Sequence, residues 1–135
     1  MSQIKSTGEN FICDSGVSVY GGENINIGKG VVINKGVILQ SCEGAKICIK
    51  DNVTISYNAM IITGNLNFRK NEKERHFTEN IEIGNQVWIG ANVIVLPGVK
   101  VPDNVVLAAG SIVANSLPES NCIYGGVPAK KLKKI

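Results

Sequence analysis

The sequence predicts an all-β fold, a parallel β-helix wound from six-residue repeats, and three observations predict it. Aliphatic residues recur at a constant interval of six through the second half of the chain. Turn-forming residues fill the intervals. The composition has only 5% aromatics but 15 glycines in 135 residues, which suits a narrow interior filled by Val, Ile, Leu and Ala.

The repeat is clearest from Ile83 onward, through Ile89, Val95, Val101, Leu107 and Val113. Four residues after each of the first five comes a second small or branched residue: Val87, Val93, Val99, Val105 and Ser111. Gly84, Gly90, Pro97, Gly98, Asp103, Asn104 and Gly110 fall between them, where the chain has to turn. A period of six fits neither the 3.6-residue turn of an amphipathic helix nor the long strands of a hairpin meander. Short segments such as Val87–Trp88–Ile89 and Val105–Val106–Leu107 alternate in, out, in, as very short strands do. Three such sides make one triangular coil, and stacked coils satisfy each other's backbone groups around one apolar column.

Upstream, the same pattern runs through Ile27, Val31, Ile33, Val37 and Leu39, and again through Ile49, Val53, Ile55, Ala59 and Ile61. The spacing slips between these two copies, which places a short insertion around Gln40–Lys46. The position before each inward aliphatic faces outward, yet holds Trp88, Ile94, Val106 and Ile112. Trp88 and Val106 should stack on one face of the prism, Ile94 and Ile112 on the next. Stacked outward apolar residues predict a covering partner.

Regularity fails twice more. After Ile61-Ile62-Thr63-Gly64 the periodicity stops and resumes at Ile81, leaving a polar, charged loop of about 64–80. A long loop leaving a compact repeat marks a functional segment. At the other end, Lys130, Lys131, Lys133 and Lys134 crowd a segment read as a short C-terminal tail or helix, either a solvated face or a site for a phosphate. The net charge of +3 from 14 basic and 11 acidic residues is otherwise balanced. Without a basic stripe or interleaved aromatics, nucleic acid is not an expected partner.

One histidine and four cysteines (Cys13, Cys42, Cys48, Cys122), none in a C-x-x-C pair, argue against a metal centre. The cysteines read as thiols in a reducing compartment, and the polar N-terminal segment MSQIKSTGEN has no signal-peptide core, so a cytoplasmic location is expected. No segment has the apolar length to span a bilayer, and no membrane partner is expected. Gly28-x-Gly30 precedes a β-type repeat rather than a helix, which excludes a dinucleotide-binding loop. The whole chain, 1–135, reads as a single domain.

The segments IGNQVWIGANVIVLPGV, LAAGSIVANSLPES and YGGVPAKKLKKI resemble the hexapeptide-repeat acyltransferases, in particular the maltose, galactoside and capsule-sugar O-acetyltransferases. The resemblance covers roughly Ile25 to the C-terminus. It implies a left-handed parallel β-helix, a homotrimer with sites between subunits, and acetyl-CoA as co-substrate for a sugar-like acceptor. It further implies that the pantetheine arm lies against Trp88, Ala91 and Ala109, followed by Ala114 and Asn115, with Lys130 and Lys131 near the adenosine phosphate. In this family a histidine directly after a Thr-Gly pair takes the proton from the acceptor; here that position is Asn65, whose amide cannot act as a base. His76, with Glu74 or Glu79 to orient it, is the candidate replacement. The rival expectation is a scaffold that binds acyl-CoA without turnover.

Overall fold

The computed structural model describes residues 3–135; Met1 and Ser2, which open the polar N-terminal segment, lie outside the described residues. The described chain consists of short strands and turns, with one 3-10 turn at Gly22–Asn24 and no α-helix. Its strands stack into three parallel sheets that form the faces of a prism. The first face stacks Ser6–Thr7, Ile25–Ile27, Ile47–Ile49, Ile81–Ile83 and Lys100–Val101. On the second lie Ile12–Cys13, Val32–Ile33, Thr54–Ile55, Trp88–Ile89, Val105–Leu107 and Cys122–Gly125, with Lys130–Lys134 added at the end. Ser18–Tyr20, Ile38–Gln40, Met60–Ile62, Ile94–Val95 and Ile112–Val113 make the third.

Every inward residue that the six-residue period selects is buried, from Ile27 to Val113, and together they form one continuous apolar column. Ser111 is the polar member, and its hydroxyl donates to the Ala108 carbonyl at 2.7 Å, so its burial leaves no unmet donor. Coil-to-coil bonds such as Thr54 N to Val87 O (3.0 Å) and Ile94 N to Ser111 O (3.0 Å) satisfy the backbone along the axis. Turn chemistry works through close approach as well as conformation. A Cβ on Gly90 would stand 2.6 Å from the Leu107 carbonyl oxygen and 2.8 Å from the Ala109 nitrogen, backbone atoms of the next coil that cannot yield.

The outward residues differ sharply between faces. On the first, the register stacks Ser6, Asn26, Cys48, Glu82 and Lys100. On the second it stacks Ile12, Val32, Thr54, Trp88, Val106 and Ile123, and on the third Ser18, Ile38, Met60, Ile94 and Ile112. The expected Trp88–Val106 and Ile94–Ile112 stacks are present. One face is therefore polar and two are predominantly apolar.

Three elements go beyond the sequence expectation. A further coil, Ser6 to Tyr20, precedes the first repeat, its Val17 and Val19 buried in the common core. The loop of about 64–80 is a hairpin, with Gly64–Leu66 antiparallel to His76–Thr78. The C-terminal segment is neither a free tail nor a helix: Lys130–Lys134 runs antiparallel to Cys122–Gly125. So short a helix would not persist alone, whereas the last coil presents an edge whose backbone groups the returning chain satisfies.

Candidate active site

The hairpin leaves the prism where the third face gives way to the first. Thr63 is fully buried there, its hydroxyl oxygen accepting from the Cys42 amide at 2.8 Å, while Glu79 N donates to the Thr63 carbonyl at 3.1 Å and closes the base. Thr78 Oγ1 donates to the Glu43 carbonyl at 3.3 Å, which docks the hairpin on the Gln40–Lys46 insertion. Between insertion and hairpin lies an open cleft of about 710 Å³, lined by Gln40, Cys42, Glu43, Gly64, Asn65, Leu66, His76, Phe77 and Thr78.

Strand alternation sorts the hairpin side chains. Asn65 pairs with Phe77 and Leu66 with His76, so Asn65 and His76 point to opposite sides. Asn65 Nδ2 donates to Glu79 Oε1 at 3.4 Å, and its Oδ1 accepts from Leu66 N at 2.9 Å. His76 is exposed and has no hydrogen bond to Glu74 or Glu79 among the described residues. The backbone amide of Glu74 is instead bound by Asn71 Oδ1 (3.2 Å) in the hairpin turn.

Trp88, Ala91 and Ala109 come together elsewhere, beside the corner between the second and third faces. Gly110 N donates to the Ala91 carbonyl at 2.8 Å, setting Ala91 and Ala109 one above the other in successive coils. Both side chains are single methyl groups, and Trp88 lies on the adjoining face. The Trp88 ring is 56% exposed, and its Nε1 donates to Ser56 Oγ at 3.0 Å. Further along the axis, Lys130 pairs with Gly125 on the last strand and makes no ion pair among the described residues. Lys131 is committed: its Nζ lies 2.8 Å from Glu119 Oε2, and Lys134 reaches the other oxygen at 3.5 Å. The Lys131 hydrogen bond holds the Glu119 carboxyl below its ordinary pKa, and the same bond raises that of Lys131. Ala114 and Asn115 are exposed on the hairpin's corner, next to Ser116, whose oxygen accepts from Lys100 N at 2.9 Å.

The expected site residues thus form two sets at different corners, with the third face between them. Trp88, Ala91, Ala109 and Lys130 share one corner. Asn65, His76, Ala114 and Asn115 share the other. The sequence reading missed the cleft residues Gln40, Cys42 and Glu43 as part of a site; the slip in spacing at Gln40–Lys46 was the one signal pointing there.

The sequence model of the family described as bacterial transferase hexapeptide (six repeats) matches residues 80–115. Over 98% of its length the chain superposes on a crystal structure of a maltose O-acetyltransferase from Clostridium difficile 630, covering 70% of that chain at 32% identity with a TM-score of 0.88. The chain belongs to the hexapeptide-repeat transferases. Its winding is the left-handed β-helix of that family. A hexapeptide-repeat acetyltransferase from Vibrio cholerae O1 biovar eltor, solved in complex with acetyl coenzyme A, superposes with a TM-score of 0.89 at 28% identity, over 97% of this chain and 71% of that one. Among curated hexapeptide-repeat transferases, the galactoside O-acetyltransferase of Escherichia coli (strain K12) is 36% identical over 134 residues, which are 96% of this chain and 64% of that protein. The chain spans 60–64% of the length of the curated relatives that match over nearly all of it. Among the described residues no three His, Cys, Asp or Glu side chains are grouped to hold a metal ion, and no helix is long and apolar enough to cross a membrane.

Proposed function

We propose that this chain transfers an acetyl group from acetyl-CoA to a hydroxyl or amine of a sugar-like acceptor, at a site completed by a neighbouring copy in a homotrimer. The observation that carries the reading is the separation of the two half-sites. The small residues Ala91 and Ala109, which would let a pantetheine arm approach the backbone, lie at one corner and the polar hairpin cleft at another, so a neighbouring copy is needed to bring thioester and acceptor together. The outward faces supply the remedy. A ring in which the second face of one copy packs on the third face of the next buries both apolar stacks and leaves the polar face in water. Each interface then sets the hairpin of one copy beside the second face, with its Trp88, of the neighbour.

In this arrangement Trp88, Ala91 and Ala109 line the arm, Ala114 and Asn115 meet it from the adjacent copy, and Lys130 rather than Lys131 is the cation available to the nucleotide phosphates. The acceptor oxygen or nitrogen attacks the thioester carbonyl, and a backbone amide stabilises the oxyanion. Asn65, His76, Gln40 and Glu43 line the cleft where the acceptor enters, with Asn65 and His76 on opposite sides of the hairpin. The whole chain works as one β-helical unit in the cytoplasm. The scaffold alternative finds no support among relatives that are acetyltransferases, one of them solved with acetyl-CoA.

Free thiol released from acetyl-CoA, measured over a panel of galactosides, maltose and aminosugars and paired with product mass, tests the reading. An acetylated sugar is expected. No thiol release across the panel, or no calorimetric binding of CoA, would overturn it.

A further inference from the structure

The hairpin carries a carboxylate that family resemblance does not assign. Asn65 occupies the family's histidine position, and its side-chain amide donates to Glu79 Oε1 at 3.4 Å. Glu79 sits two residues beyond Phe77, on the Asn65 side of the hairpin and away from His76. Its amide is anchored on the Thr63 carbonyl at 3.1 Å, so the side chain springs from the fixed base of the hairpin and not from its tip. The next coil makes room for it: at Gly98 (φ +83°) a Cβ would lie 2.5 Å from Glu79 Oε2. Glu79 as a residue remains exposed to solvent. Among the described residues Glu79 forms no ion pair, Glu43 on the docked insertion is a like charge, and the Asn65 amide is neutral.

From this geometry we infer that Glu79 is the proton acceptor of the transfer reaction, with Asn65 as the positioning residue that aims its carboxylate. The inference rests on the acetyl-transfer reading and names the base for it. As the acceptor N–H or O–H attacks the thioester carbon, its proton passes to Glu79; the C–S bond then breaks, and the CoA thiolate leaves as thiol on taking that proton back. A carboxylate is a weak base, so the pairing favours an acceptor that needs little activation, an amine in its neutral form above a sugar hydroxyl.

The test uses the full-length protein with acetyl-CoA and an aminosugar, measuring kcat/KM against pH for wild type, Glu79→Gln, Glu79→Asp, Asn65→Asp and His76→Gln. Glu79→Gln is expected to lose about 10²–10⁴-fold in turnover, with CoA affinity and melting temperature unchanged, and Glu79→Asp to recover part of it. Asn65→Asp, by adding a second carboxylate beside Glu79, is expected to move the acidic limb of the profile to higher pH; a merely structural Asn65 would not move it. Turnover of Glu79→Gln within threefold of wild type, or an acidic limb abolished by His76→Gln, would overturn the assignment while leaving acetyl transfer intact. A wild type that acetylates neither amine nor hydroxyl would remove the transfer reading and the base with it.

Discussion

Replacing Trp88 by alanine separates the stability of one coil from the association of whole chains. Trp88 is the only tryptophan in the sequence, and 56% of it faces solvent in the single chain. A tryptophan carries about 250 Å² of surface, so about 140 Å² awaits cover. At about 25 cal/mol per Å², its burial against a neighbour contributes about 3 kcal/mol per interface. Loss of that amount weakens each interface by a factor on the order of 10². The coil itself keeps its inward Val87 and Ile89, both fully buried, so the dilute variant still unfolds cooperatively. Sedimentation velocity across a dilution series should show wild type as a trimer where Trp88→Ala has dissociated. Wild-type tryptophan emission should shift red on dissociation. A Trp88→Ala chain that stays trimeric at every dilution at which wild type does, or a wild type that is monomeric throughout, would refute the argument.

Other outcomes follow from the same structure. Gly90→Ala places a methyl against the backbone of Leu107 and Ala109, so the coils must part; a loss of about 1–3 kcal/mol is expected in urea unfolding. Asn65→His should install an imidazole at the family position, raising turnover with hydroxyl acceptors and bringing the acidic limb of kcat/KM towards the imidazole range, near pH 6.5. The Glu119 carboxyl has its pKa lowered by Lys131, so the support it gives the C-terminal strand is complete above the ordinary carboxyl range and lost as pH falls through the lowered value. Hydrogen exchange of the Lys130–Lys134 amides should accelerate on acidification, and Glu119→Gln should abolish that pH dependence.

The prism was legible because its signal is periodic and redundant: each inward position from Ile27 to Val113 repeats the same requirement for a small apolar side chain. The outward stacks were legible too, since register follows once the period is known. The first coil escaped because the Gly21–Asn24 turn puts 20 residues between Thr7 and its partner Ile27, whereas 18 separate Ile83 from Val101. Neither strand of the hairpin, Gly-Asn-Leu and His-Phe-Thr, alternates apolar with polar residues, so backbone pairing alone defines it. The lysine-rich last strand is likewise set by its neighbour's edge and not by its own propensity. Within the site, Trp88, Ala91 and Ala109 could be read from motifs, but the meeting of Asn65 with Glu79 depends on the hairpin's register, which its sequence does not encode in any local pattern.

That last strand has a consequence for the molecule as a material. A stack of coils is a template: each layer offers the next an unpaired ladder, and nothing in the period itself says where to stop. Lys130–Lys134 runs against the direction of every other strand on its face, and four of its five side chains are cationic. A second molecule docking there would meet reversed polarity and like charge. At that edge the strand opposes head-to-tail stacking, which favours lateral association of the prisms.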